Sequence, residues 1–112
     1  MPTPKNALEK YVKKDLDIII TTVIDRSAPI WGYEIIRKIR ENFGVTLSGG
    51  ILYPALHDLE DQGYISGHQE FGKISGPLGR REYSVTPEGK EFLEVSKRAK
   101  TEVWRIIENS GH

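Results

Sequence analysis

The segment Leu47–Gly63 combines small and polar residues at its start with a regular apolar pattern further on. Ser48 can cap a helix here, and the two glycines that follow it leave the backbone N–H groups of the first turn uncovered. Such a bare helix start presents unpaired donors and a partial positive charge, which favours the binding of phosphate oxygens. Tyr53 and His57 follow one helical turn apart and can both point outward. The alternative is that the glycine pair is a flexible turn and Tyr53 a packing residue.

Basic residues are concentrated in two further places, although the net charge is zero with 16 basic and 16 acidic residues. The first place surrounds the glycine-rich segment GKISGPLG and contains Lys73, Arg80 and Arg81. The second is a predicted helix that contains Arg37, Lys38 and Arg40. A zero net charge argues against a nucleic-acid binder, but local charge decides phosphate contact. Each cluster either contacts a phosphate backbone or is simply the solvated surface of a loop or a helix.

Enzyme chemistry finds little support in the sequence. The chain has no cysteine, which excludes disulfides, thiolate nucleophiles and cysteine-ligated metals. The three histidines, His57, His68 and His112, lack the spacing of metal ligands. No phosphate-binding glycine loop, nucleophile elbow or catalytic carboxylate pair stands out. We therefore expect a protein that is not an enzyme and that uses no cofactor and no metal.

The sequence also predicts the cellular location of the protein. No apolar run approaches the roughly 20 residues needed to cross a bilayer. The N-terminal segment MPTPKNALEKYVKK lacks the apolar core and the cleavage site of a secretory signal. Together with the missing cysteines, these features predict a cytoplasmic protein without a membrane partner.

Three helices are predicted before the glycine-rich segment, because apolar residues recur there at three- and four-residue steps. They span about residues 16–28, 33–43 and 48–62, and glycines close the second and the third. Pro54 is expected to loosen the first turn of the third helix, since proline cannot donate a backbone hydrogen bond. Residues 8–12 either extend the first helix backward or form a separate short arm.

Two strands and a long helix follow. Tyr64–Phe71 and Arg80–Val85 are the strand candidates, and the glycine-rich segment between them predicts a hairpin tip. The sequence Thr-Pro-Glu at 86–88 is a strong helix start, because a hydroxyl cap, a proline and an acid all suit a first turn. The helix can run to about Asn109. Its apolar residues repeat close to a coiled-coil seam at Phe92, Val95, Ala99, Val103 and Ile106.

This apolar strip exceeds what one small protomer can easily cover, which predicts a homodimer held by the last helix. Trp104 lies beside the strip. An aromatic side chain between two protomers can stack on a flat molecule, so Trp104 is a candidate for binding a small-molecule effector. The alternative is that Trp104 only packs within the dimer interface.

The predicted order of helices, ribbon and final helix is that of a winged helix-turn-helix. The fold class is mainly α with a small β-hairpin and a long C-terminal dimerisation helix. We expect a single domain over residues 1–112, with the helix-turn-helix and wing at about 16–85 and the dimerisation helix at about 87–109. In this fold the second helix of the motif enters the major groove, and its first residues reach base edges. The predicted partner is therefore double-stranded DNA.

Four segments resemble the PadR family of transcriptional regulators, and in particular its short-C-terminal branch. They are IWGYEII at Ile30–Ile36, LSGGILYPALHDL at Leu47–Leu59, EDQGYI at Glu60–Ile65 and REYSVTPEG at Arg81–Gly89. The resemblance covers about residues 16–107. It implies a homodimeric repressor of palindromic operator DNA, held together by the first and last helices, which brings Leu16 and Ile20 into the predicted interface.

The resemblance also implies roles for individual residues. Contacts from the recognition helix would fall on Ser48, Gly49, Gly50, Tyr53 and His57. Wing contacts would fall near Lys73 and Arg80, with Arg81 beside them. Tyr33 would be structural and pack the second predicted helix.

Two departures from the family pattern leave other functions open. Family members usually carry an arginine where this chain has Asp58, so a winged-helix protein-interaction module without DNA binding is an alternative. The tryptophan of multidrug-binding relatives aligns with Lys100, one turn before Trp104. A ligand-sensing regulator with a pocket at the dimer interface near Trp104 is therefore a third hypothesis.

Overall fold

The computed structural model describes residues 4–69 and 81–110, so Lys73, Arg80 and the predicted hairpin tip lie outside the described residues. The described chain contains five helices and three short strands. They are α1 (Lys5–Lys14), α2 (Leu16–Ser27), β1 (Ile30–Trp31), α3 (Gly32–Phe43), α4 (Gly49–Asp61), β2 (Ile65–Gln69), β3 (Arg81–Val85) and α5 (Pro87–Ser110). This mainly helical architecture with a small sheet confirms the predicted fold class.

Residues before the first predicted helix form a separate short helix rather than an extension of α2. Asp15 separates α1 from α2 and is hydrogen-bonded to both. Its N–H donates to Tyr11 O at 3.0 Å, and its carbonyl accepts from Ile19 N at 2.9 Å. Val12 lies in the core with 1% of its surface exposed, so this side chain anchors α1 to the rest of the fold.

The core lies between α2, α3 and α4 and consists of aliphatic side chains. Each helix contributes residues at three- and four-residue steps that are almost completely buried, namely Ile20, Ile24, Ile35, Ile39, Leu52, Leu56 and Leu59. Burying a side chain of this size contributes roughly 1.5–3 kcal/mol relative to leaving it in water. This packing fixes the position of α4, the helix that carries the predicted recognition residues.

The first turn of α4 differs from the prediction. Ser48 O accepts hydrogen bonds from Ile51 N at 3.1 Å and from Leu52 N at 3.0 Å, so the turn is closed rather than loosened. Pro54 lies inside the helix and is exposed, where water can satisfy the carbonyl that lacks its donor. Ser48 occupies the N-cap position, but its side chain makes no capping hydrogen bond, so the predicted side-chain cap was wrong.

A three-stranded antiparallel sheet of order β1-β3-β2 packs beside the helices. Tyr83 at the centre of β3 pairs with Ile30 on one side and with Gly67 on the other. The Trp31 indole Nε1 donates to Glu82 Oε1 at 2.9 Å, which adds a side-chain bond between β1 and β3. The two longer strands follow the sequence prediction. β1 was not predicted, because two residues are too few to show an alternating pattern.

The start of α5 is locked to the end of α4 by Thr86. Its hydroxyl accepts from Gly89 N at 3.0 Å and donates to Gly63 O at 2.5 Å. The Thr86 N–H donates to Tyr64 O at 3.1 Å. Gly89 faces that same carbonyl so closely that a Cβ there would overlap Tyr64 O. The predicted hydroxyl cap is therefore present, and it also joins two elements.

α5 is buried at its beginning and exposed for the rest of its length. Phe92 stacks on Tyr64 with ring centroids 4.4 Å apart, and Leu93 is buried. Residues from 97 to 110 are exposed throughout. Over residues 4–69 and 81–110, no helix has both the length and the apolar character of a bilayer-crossing segment.

The predicted dimer residues fall into two groups. Val95, Ala99, Val103 and Ile106 are exposed on α5. Ile20 is completely buried in the core of its own protomer. Its assignment to the interface was therefore wrong, because this side chain has no surface left for a partner. Leu16 and Phe92 are partly buried against their own protomer, Leu16 against the core and Phe92 against Tyr64.

Candidate nucleic-acid interface

The turn between α3 and α4 is anchored by one glycine and two buried side chains. Gly44 adopts the left-handed conformation with φ 68°, and its N–H donates to Arg40 O at 2.8 Å. This glycine ends α3 as predicted. Val45 and Leu47 then lie in the core, each 2% exposed. Because Ser48 is exposed, the turn brings the first residues of α4 to the surface.

Tyr53 packs across the starts of α3 and α4. A Cβ on Gly32 would lie 2.8 Å from Tyr53 Cε1, and a Cβ on Gly49 would lie 3.2 Å from Tyr53 Cε2. The two glycines therefore make room for the tyrosine ring. Tyr53 still exposes 48% of its surface, so it is at once a packing residue and an accessible one.

Gly50 has open surroundings, unlike Gly49. A Cβ on Gly50 would meet Ser48 Oγ at 3.7 Å and no other described atom within 4 Å apart from its chain neighbours and the backbone of its own helix. The first N–H groups of a helix have no intrahelical partner, and at Gly50 the described side chains leave them open to solvent. The exposed helix start that the sequence predicted is therefore present, and its contact with a phosphate oxygen stays a prediction.

Tyr33 is an accessible aromatic residue that the sequence interpretation placed wrongly. It was expected to pack the helix, but 67% of its surface is exposed. It follows Gly32, where a Cβ would lie 2.8 Å from the Tyr53 ring. The helical period was the signal that would have located it. Tyr33 precedes the buried Ile35 by two positions, about 200° around the helix, and so points away from the core.

The basic residues of α3 do not form one exposed patch. Arg37 is paired with Glu34 at 3.7 Å and with Glu41 at 3.8 Å. Lys38, a predicted DNA contact, is half-buried and lines a groove between α2 and α3 together with Ile19 and Phe43. Lys38 is therefore less accessible to a phosphate than a fully exposed lysine would be.

A polar cleft of about 400 Å³ separates α4 from β3. Within it Arg81 Nη2 donates to Glu60 Oε2 at 2.6 Å, so the positive charge of this predicted DNA contact is paired with an acid of the same chain. Burial raises the pKa of the Tyr83 hydroxyl, and the adjacent Arg81 opposes that shift through its charge and a hydrogen bond. Tyr53, His57 and Asp61 complete the lining.

His57 is exposed at the outer edge of the cleft. Its Nδ1 lies 3.3 Å from Asp61 Oδ2, so the predicted DNA contact is accessible but has an acidic neighbour. His57, Asp58 and Asp61 bring ligand atoms within 4.8 Å of one another. All three are exposed. Exposed acidic groups often lie this close together without binding an ion. The sequence analysis missed this cluster because it considered only the spacing between histidines, and the cluster contains one histidine and two aspartates.

Trp104 lies far along the chain from the recognition helix and is 61% exposed. It lines an open groove of about 510 Å³ between α1 and α5, together with Tyr11, Val103 and Ile107. At the floor of this region Lys100 Nζ contacts Asp15 Oδ2 at 2.7 Å, which ties α5 to the junction of α1 and α2.

The helix-turn-helix of α3 and α4, the antiparallel ribbon of β2 and β3 and the exposed start of α4 define a winged helix-turn-helix protein. The Transcriptional regulator PadR-like family matches residues 20–95. The chain therefore belongs to the PadR-like family of transcriptional regulators, as the sequence motifs predicted, and this is a family of regulators rather than enzymes.

Several known proteins are similar to this chain. Transcriptional regulator Rv3488 of Mycobacterium tuberculosis is 36% identical over 64 residues, which is 57% of this chain and 57% of the relative, so the match spans little over half of that protein. A PadR family transcription regulator from Clostridium difficile has a TM-score of 0.70 and 30% identity, covering 85% of this chain and 96% of the other. A PadR-like transcriptional regulator from Bacillus cereus has a TM-score of 0.70 and 26% identity, covering 92% and 99%.

Proposed function

We propose that this chain is a dimeric transcriptional repressor that acts in the cytoplasm by binding a palindromic operator. The exposed start of α4 carries the proposal, because Gly50 opens onto free space and Tyr53 presents an accessible edge beside it. In the helix-turn-helix class these positions enter the major groove. Membership of a family of transcriptional regulators supports the same use of the helix.

The second half of α5 supports the dimer. From Val95 onward the large apolar side chains of α5 are about half exposed or more, and they are Val95, Val103, Trp104, Ile106 and Ile107. A contiguous apolar strip on a small protein is typical of a surface that pairs with another chain. A second copy offers the same strip, and a two-fold arrangement lets each copy cover the other.

The proposed two-fold symmetry supports a palindromic operator, and occupancy of that operator supports repression. A two-fold dimer presents two copies of α4, and each reads one half of a symmetric site. Two recognition helices that occupy adjacent turns of the duplex prevent other proteins from using the same DNA. Occupancy of a promoter by this dimer would therefore reduce transcription without any further activity.

A binding assay tests the proposal, with DNA from upstream of the protein's own gene and with selection from a random-sequence library. We expect a footprint of two half-sites whose centres are about 34–36 Å apart or a multiple of that distance. Affinity should fall as salt rises, because phosphate contacts release condensed counterions. The selected site should bind at least about 1,000-fold more tightly than random competitor at the same salt.

Two results would contradict the proposal. If selection enriches no sequence and the upstream DNA is not bound, the protein-interaction module, which the zero net charge and Asp58 favour, becomes the better reading. If light scattering finds a monomer under conditions where the operator is fully bound, the dimer and the palindrome are both wrong.

A ligand sensor is the second candidate function, and the groove at Trp104 favours it. The groove has an aromatic wall, and a partner protomer on α5 would close its open side. We expect a planar aromatic cation to quench the fluorescence of the wild-type protein but not that of Trp104→Phe, which retains Trp31 as the internal control. Equal quenching of both proteins would exclude this site.

A further inference from the structure

We propose that Glu60, Arg81 and Gly67 form a clamp that fixes the β2–β3 ribbon against the recognition helix, and that Arg81 supports DNA binding by positioning α4 rather than by touching DNA. The inference rests on the proposed function, since its readout is operator affinity. It changes the role predicted for Arg81 from a direct contact to a positioning residue.

The ion pair joins two elements that are separated in sequence. Glu60 lies in the last turn of α4, and Arg81 is the first residue of β3. Arg81 Nη2 donates to Glu60 Oε2 at 2.6 Å, and the two side chains are 37% and 31% exposed. A short charge-assisted hydrogen bond between partly buried groups holds its geometry better than an exposed surface pair does. The pair therefore restrains how α4 sits on the ribbon.

Gly67 has no side chain at the point where this pair approaches β2. It lies on β2 opposite Tyr83, and a Cβ there would overlap Arg81 Nη2 and lie 2.8 Å from Glu60 Oε1. Among the described glycines, positive φ occurs at Gly44 and Gly63 and not at Gly67. Backbone conformation therefore does not require a glycine here. A glycine in a strand weakens it, and close approach of another group is a usual reason to find one.

The surroundings of Arg81 are also unsuited to a phosphate. Asp61 and Glu60 both line the cleft next to Arg81. Glu60 already pairs with the guanidinium charge of Arg81. A phosphate oxygen that used the other guanidinium N–H groups would enter a cleft that already holds Glu60 and would approach a second carboxylate, that of Asp61. Restraint of α4 is the role that these contacts support.

The test compares operator affinity and its salt dependence in Glu60→Gln, Arg81→Gln and the double variant. A clamp predicts that each single change weakens binding about tenfold, and that the double variant is no weaker than either single one because the two residues act as a unit. The slope of log affinity against log salt should stay at the wild-type value. Glu91→Gln is the matched control, since it removes the charge of an exposed acid on α5 and should not weaken binding.

A direct phosphate contact predicts a different pattern. Arg81→Gln would then reduce the salt slope by about 1, and Glu60→Gln would leave affinity unchanged or raise it by releasing the arginine. That pattern would overturn the clamp while leaving the proposed function intact. Absence of any operator binding by the wild type would overturn both.

Folding of the variants is checked by circular dichroism at the assay temperature. If Arg81→Gln does not fold, Glu60→Gln decides alone, because it keeps the shape of the side chain and replaces the carboxylate with a neutral amide. Weaker binding at an unchanged salt slope supports the clamp, and unchanged or tighter binding rejects it. Gly67→Ala provides a third arm, because its methyl group would force the charged ends of Arg81 and Glu60 to shift. It should weaken binding less than Glu60→Gln does, because both ends are flexible.

Discussion

Gly89→Ala is expected to destabilise the fold by about 3 kcal/mol, at the upper end of the usual cost of overpacking. The added methyl group would overlap the carbonyl oxygen of Tyr64 and lie 2.7 Å from Val85 Cγ1. The first of these is a backbone atom that also accepts from Thr86 N at 3.1 Å, so it cannot move without breaking the junction between α4 and α5. A small domain has about 5–15 kcal/mol of stability in total. The loss should be measured by urea denaturation followed by circular dichroism.

Gly50→Ala is the matched control for this measurement. It makes the same change in the first turn of a helix, but its methyl group would enter open space, with Ser48 Oγ at 3.7 Å as the nearest neighbour. Alanine favours helix over glycine by up to about 1 kcal/mol, so this variant should be at least as stable as the wild type. Equal denaturation midpoints for Gly89→Ala and the wild type would show that the start of α5 can accommodate a methyl group, which contradicts the prediction.

Val103→Glu is expected to weaken the dimer at least about 30-fold, equivalent to about 2 kcal/mol, because it puts a charge into the apolar strip of α5. A two-fold interface receives the change twice. Val103 is 53% exposed in the protomer, so the fold itself should be unaffected. Analytical ultracentrifugation gives the dimer dissociation constant, and the operator affinity should fall with it because one half-site is then bound at a time.

Thr101→Glu serves as the control for that experiment. It adds the same carboxylate half a turn away on an exposed polar position of α5. We expect the dimer dissociation constant of this variant to stay within about threefold of the wild type, as is usual for surface changes. If both variants dissociate equally, charge alone explains the effect. If neither does, the strip of α5 is not the interface.

The helices of this fold were predictable because each carries its own periodic signal. The stripe that begins at Leu16, the glycine stop at Gly44 and the start at Thr86 are local patterns, and the structure confirms α2, the end of α3 and the cap of α5. The PadR-like motifs located the family for the same reason, since they are short and contiguous. Features that depend on neighbouring residues in the sequence were therefore predictable.

Features that depend on contacts distant in sequence were not predictable. Glu60 and Arg81 are 21 residues apart, and nothing in their neighbourhoods in the chain indicates that they meet. The close approach of Arg81 and Glu60 to Gly67 becomes visible only when α4, β2 and β3 are assembled. The same applies to Ile20, because an apolar stripe on a helix does not say whether its own core or a partner covers it. Lys73 and Arg80 lie outside the described residues, so their predicted DNA contacts stay predictions.

The exposed second half of α5 also affects how much protein is needed for regulation. If this strip holds the two copies together, the dimer concentration at low protein levels rises with the square of the chain concentration. Halving the amount of chain then removes about three quarters of the species able to fill a two-part operator. A promoter under this control would respond to dilution of its regulator during growth more sharply than one read by a monomer. The residues that would set that threshold lie on α5 and not on α4, the proposed recognition helix.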